Sequence, residues 1–170
     1  MLTLIIGGSG SGKSAFAESL VCSLGENRIY IATMQPFDEE CRARIARHRA
    51  QRRNTGFETI ECYVNLSEAL VPFDANVLLE DLSNLLANER YRPDGGGIET
   101  VRRGLELLAD RCRHLTVVTN EVFSGGDEYE GDTLAYLQDL AALNRELARR
   151  ADRVIEMVCG VPHVLKGELP

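Results

Sequence analysis

The sequence lacks any apolar run approaching the roughly 20 residues that a membrane-crossing helix needs. No secretory leader is expected either. The apolar start, residues 1–6, is short, has no basic flank and runs straight into glycines, so it reads as a strand and a cytoplasmic location is expected. Paired cysteines are missing: Cys22, Cys41, Cys62, Cys112 and Cys159 are scattered, odd in number and never in CxxC spacing. That argues against a disulfide framework or a zinc site and for small buried side chains. Positive charge is in deficit, with 19 Lys and Arg against 26 Asp and Glu, for a net charge of −7. General binding to a nucleic-acid backbone is therefore disfavoured, although a local basic cluster stands at 42–53, and no nucleic-acid partner is expected. Internal repeats, low-complexity tracts and a domain linker are absent as well, so residues 1–170 read as a single domain.

What is present is an alternation of strand and helix signals. Continuous apolar runs at 2–6, 28–33, 76–80, 114–120 and 153–158 suit strands buried on both faces. Residues 57–63 alternate like an edge strand, and 161–165 form a hairpin partner across Gly160. Helical spacing covers 13–24, 82–88, 98–112 and 132–150, the last with Leu134, Leu137, Leu140, Leu143 and Leu147 at steps of three or four. Residues 66–71 read as a short helix capped by Asn65, and 38–53 as a highly charged helix. Loops fall at 92–97, with Pro93 and three glycines, and at 123–131. The predicted architecture is α/β, a P-loop-type three-layer fold with a mostly parallel central sheet flanked by helices.

Gly7, Gly8, Ser9, Gly10, Ser11, Gly12, Lys13 and Ser14 fit G-x4-G-K-[ST] at every fixed position, between a buried strand and a helix. Glycines let the backbone curve around a phosphate with its N–H groups aimed inward, and the helix N-terminus adds partial positive charge. Lys13 is placed to reach the β- and γ-phosphates and Ser14 to bind Mg2+. Such a site needs an acid at the end of a neighbouring strand, and Glu80 and Asp81 qualify. Asn120 and Glu121 close another strand at the same carboxyl edge, where open α/β sheets bind ligands.

His48 lies amid Arg42, Arg44, Arg47, Arg49, Arg52 and Arg53, and on a helix Arg44, His48 and Arg52 share one face. Cationic neighbours favour the neutral, nucleophilic imidazole, and guanidinium groups can hold phosphates. Charge patterning by itself favours the plainer reading, a solvated basic face with an incidental histidine.

The segments GGSGSGKS, IYIATM, DEECRARIARHRAQR, VLLED with Asn88 downstream, VVTNEV and the tail LNRELARRADRVIEMVCGVPHVLKG together resemble one family over nearly the whole chain. It is the bifunctional adenosylcobinamide kinase / adenosylcobinamide-phosphate guanylyltransferase family of cobalamin biosynthesis. The resemblance implies phosphorylation of adenosylcobinamide, then transfer of GMP from GTP through a guanylylated histidine, which matches His48. It implies ATP and GTP as substrates, Mg2+ as cofactor, a corrinoid partner and a homotrimer. It also implies nucleotide contacts at Thr33, Met34, Arg49, Arg52, Glu61 and Glu80, with Ser14 and Glu80 at the metal. Lys13 and His48 would carry the chemistry. The sequence departs from the family pattern at Asn54 and Phe57, where Pro and Trp are usual, at the stretch 82–86, and at the acidic loop 123–129. Another small-molecule P-loop kinase and a non-catalytic GTP-binding paralogue remain alternatives at this point.

Overall fold

A computed structural model describes residues 1–53, 55–124 and 129–169, with every side chain among them except those of Arg44 and Gln51. Asn54, residues 125–128 of the acidic loop and the side chain of Arg44 lie outside the described residues.

Six parallel strands form the sheet: β1 (Leu2–Gly7), β2 (Arg28–Ala32), β3 (Phe57–Glu61), β4 (Asn76–Glu80), β5 (His114–Asn120) and β6 (Arg153–Val158). A seventh, β7 (Val161–Lys166), pairs antiparallel with β6, and the order across the sheet is β3-β2-β4-β5-β1-β6-β7. The expected edge strand is thus an edge, and the expected hairpin closes the opposite edge. The central strands earn their places by composition. Val77, Leu78 and Leu79 of β4 are all fully buried, and burying one such leucine stabilises the fold by about 1.5–3 kcal/mol.

Alternate side chains of each strand feed two cores. Ile31, Leu79 and Val117 pack with Leu85 of α3 (Leu82–Tyr91), Leu105 of α4 (Gly97–Arg111) and Leu143 of α5 (Gly131–Arg150). Tyr30, Leu78 and Val118 pack with Ala17, Leu20 and Val21 of α1 (Lys13–Ser23) on the other face. The three-layer expectation is met.

The charged helix forms as α2 (Glu39–Arg52). Asp38 caps it, its carboxylate accepting the Cys41 N–H at 2.7 Å, and Glu39 and Glu40 in its first turn with Arg49 and Arg52 in its last complement the helix dipole.

Two local expectations are corrected. Residues 66–71 do not make a helix: a single 3-10 turn, Leu66–Glu68, is followed by extended chain. Asn65 adopts left-handed backbone (φ 50°) and does not cap; its amide engages Ser67 and Glu68 instead, and Pro72 disfavours helical backbone at Val71. Leu134 does not join the α5 stripe, because the opening turn of that helix is exposed throughout.

Buried Glu89, whose position carries no motif or spacing signal in the sequence, holds this region together. Its carboxylate accepts the backbone N–H groups of Asn65 at 2.5 Å and Gly96 at 2.7 Å, which offsets the cost of burying a charge.

Candidate active site

The phosphate loop runs from β1 into α1 at the carboxyl edge of the sheet. Gly10 (φ 72°) and Gly12 (φ 90°) adopt left-handed backbone, which explains glycine at both positions. Lys13 is buried and donates to the carbonyl of Gly8 at 3.0 Å, so its ammonium already lies over the loop. The turn between β6 and β7 braces the loop from behind, with Gly160 N–H donating to the carbonyl of Ser11 at 2.9 Å. A cavity of about 340 Å3 opens here, lined by Gly7, Gly8, Ser9, Gly10 and Ser11, with Glu121 on its wall.

Ser14 donates its hydroxyl hydrogen bond to Oε1 of Glu80 at 2.6 Å. The second carboxylate oxygen of Glu80 is buried without a hydrogen-bond partner. Burial, the largest influence, together with Asp81 pushes the Glu80 carboxyl up to about 8, while Ser14 and Lys13 pull it down. A hydroxyl and an orphaned carboxylate oxygen side by side suit a hard divalent cation, whose charge would restore the carboxylate. Among the described residues, no group of three or more His, Cys, Asp or Glu could hold a metal ion. A cation at Ser14 and Glu80 would therefore complete its shell with phosphate and water oxygens, as Mg2+ commonly does.

Glu80 also lines a second, larger cavity of about 610 Å3 between β4 and α2, and His48, Arg49, Arg52, Glu61 and Met34 share its wall. Six residues to which the family resemblance gives a role thus surround one space, with Arg42, Arg53 and Asp81 beside them. At its rim Glu61 pairs with Arg49 and accepts from the Tyr63 hydroxyl at 2.8 Å.

Thr33 is the exception. It is fully buried, and its hydroxyl bridges the backbone of Glu80 and Asp81, at 3.0 and 2.8 Å from their carbonyls. The Thr33 side chain sits behind the site and fixes the end of β4, where the peptide joining Glu80 to Asp81 is cis. Asn88 supports the same corner by donating to the Thr33 carbonyl at 2.8 Å.

Arg52 also departs from the expected exposed basic face. It is buried, its guanidinium 3.4 Å over the Tyr30 ring and 3.6 Å from the carboxylate of Glu18. Tyr30, Glu18 and the Ser83–Asn120 contact were not singled out from sequence, because each is paired across different elements and carries no spacing signal. Asp81, the other acid at the end of β4, is taken up by capping α3, where it accepts from Asn84 N–H and the Ser83 hydroxyl, both at 2.7 Å.

The chain is 34% identical over 172 residues to the bifunctional adenosylcobalamin biosynthesis protein CobP of Pseudomonas aeruginosa, covering 99% of each. It is 32% identical to the CobU protein of Escherichia coli (95% and 97% covered) and 31% identical to that of Salmonella typhimurium, with the same coverage. Residues 3–165 match the family model described as cobinamide kinase / cobinamide phosphate guanyltransferase, a span that takes in the phosphate loop, Glu80 and the histidine helix together. The chain belongs to that family.

Proposed function

We propose that this protein is a bifunctional enzyme of cobalamin biosynthesis that phosphorylates adenosylcobinamide and then transfers GMP from GTP to the product. One observation carries the reading: His48 faces the same cavity as Glu80, and Glu80 holds Ser14 of the phosphate loop. A nucleophile and a triphosphate cradle therefore meet across one carboxylate.

In the transfer reaction an imidazole nitrogen of His48 attacks the α-phosphorus of GTP, and pyrophosphate leaves. The phosphate of adenosylcobinamide phosphate then attacks the same phosphorus, forming the diphosphate bond and freeing the imidazole. Lys13 and the loop N–H groups hold the β- and γ-phosphates through the first step. Arg49 and Glu61 stand at the mouth of the cavity to orient the guanosine, and Met34 lines its wall. In the kinase step the same loop holds ATP or GTP while the corrinoid hydroxyl attacks the γ-phosphorus, a reaction that needs mainly alignment and charge stabilisation. Ser14 and Glu80 would hold Mg2+, which would supply charge neutralisation on the phosphate oxygens. Family likeness further supports a homotrimer acting in the cytoplasm.

The test is covalent labelling. Incubated with Mg2+ and GTP labelled at the α-phosphate, the native protein should gain label in an acid-labile, base-stable bond, and His48→Ala should gain none. Native protein that stays unlabelled, or label that survives in His48→Ala, overturns the assignment of His48.

A further inference from the structure

We propose that Arg52 is a positioning residue for His48, seating the histidine-bearing helix on the phosphate-loop helix. The proposal rests on the reading that His48 takes the guanylyl group.

An ordinary surface helix is held by an apolar stripe. Helix α2 has no such stripe, and among its described side chains Arg52 alone is buried. The exposed Arg49–Glu61 pair is a further side-chain tie, and such pairs hold weakly in water. Among the described side chains of α2, the Arg52 guanidinium is the buried anchor. Its central carbon sits 3.4 Å over the ring centre of Tyr30, which is buried in the α1 face of the sheet and packs edge-on against Phe57, ring centres 6.1 Å apart. Its second partner, Glu18, is on α1, one helical turn after Ser14.

Helix geometry passes this anchorage to the nucleophile. His48 and Arg52 are four residues apart and share a face, so fixing the roll of α2 at Arg52 fixes the direction of the imidazole one turn earlier. The same helix α1 begins with Lys13 and Ser14. The contacts Ser14–Glu80, Glu18–Arg52 and Arg52–Tyr30 thus tie the phosphate cradle and the histidine to one rigid frame. One face of the guanidinium is covered by Tyr30, while Nη1 lies 3.6 Å from Oε1 of Glu18, a charge pairing without a hydrogen bond, so the alternative role for that nitrogen is as a nucleotide ligand.

Single-turnover labelling of His48 at varied GTP concentration separates the two roles. If Arg52 positions, Arg52→Ala lowers the limiting labelling rate by about 10- to 100-fold, the scale of an ångström-level misplacement, and leaves the half-saturating GTP concentration within about twofold. Arg52→Lys restores most of the rate, because an ammonium also pairs with Glu18 and rests on an aromatic face. Glu18→Gln, which removes a partner without altering α2, lowers the rate in the same pattern and serves if Arg52→Ala does not fold. A rise in half-saturating GTP at constant limiting rate, or unchanged kinetics in Arg52→Ala and Glu18→Gln, overturns the proposal. Native protein that takes no label removes the functional reading beneath it, a result distinct from either.

Discussion

Gly7 sits where a side chain has no room. A Cβ there would lie 2.6 Å from the Ser11 hydroxyl and 2.8 Å from the Met157 carbonyl, and the second of these is backbone that cannot swing away. Its constraint is therefore steric and not one of positive φ. Gly7→Ala should destabilise the protein by about 1–3 kcal/mol, the usual cost of overpacking, as read by the urea midpoint. It should also weaken nucleotide binding, because relief of the clash must move either the loop or β6. Lys13 acts by charge instead. The buried ammonium already leans on the loop carbonyl of Gly8, so its pull on a triphosphate costs little reorganisation.

At the scale of elements, α4 meets the 3-10 turn Leu66–Glu68 through a glycine. A Cβ on Gly104 would stand 2.7 Å from the Cβ of Leu66 and 3.3 Å from the Ser67 nitrogen. Replacing glycine by alanine inside a helix ordinarily stabilises by up to about 1 kcal/mol. Here the clash wins, and Gly104→Ala should lower stability by about 1–3 kcal/mol in chemical denaturation. A stabilised variant would show that the 3-10 turn yields freely. The contrast with α2 is instructive. Helix α4 is fixed by Val101, Leu105 and Leu108 in the core, whereas among the described side chains of α2 only Arg52 is buried. The scaffold is held by apolar area and the nucleophile's helix by directional contacts.

For the whole molecule, the phosphate loop, Glu80 and α2 all stand at the carboxyl edge of one sheet, so ligand binding draws on the folded state alone. GTP with Mg2+ at 100 times its dissociation constant should stabilise the protein by about 2.7 kcal/mol, seen as a raised thermal midpoint. Lys13→Ala should abolish most of that rise, and an undiminished rise would remove the phosphate loop from the binding site. Much of this was legible in the sequence. Alternating strand and helix patterns, the continuous apolar strands and the loop at 7–14 are local signals, set by periodicity and by the few residues that tolerate tight backbone, and they determined the sheet and the phosphate cradle. The motif around His48 pointed to a family but left the histidine's surroundings open. Only the tertiary structure decided that Thr33 is buried behind the site, that Asn65 turns the chain without capping a helix, and that Arg52 leaves the basic face to stack on Tyr30. Each of these turns on a partner from a distant element, Glu80 and Asp81 for Thr33, Glu89 for Asn65, Glu18 and Tyr30 for Arg52. Sequence spacing records the periodicity of one element at a time, whereas burial and pairing are fixed only when separate elements meet.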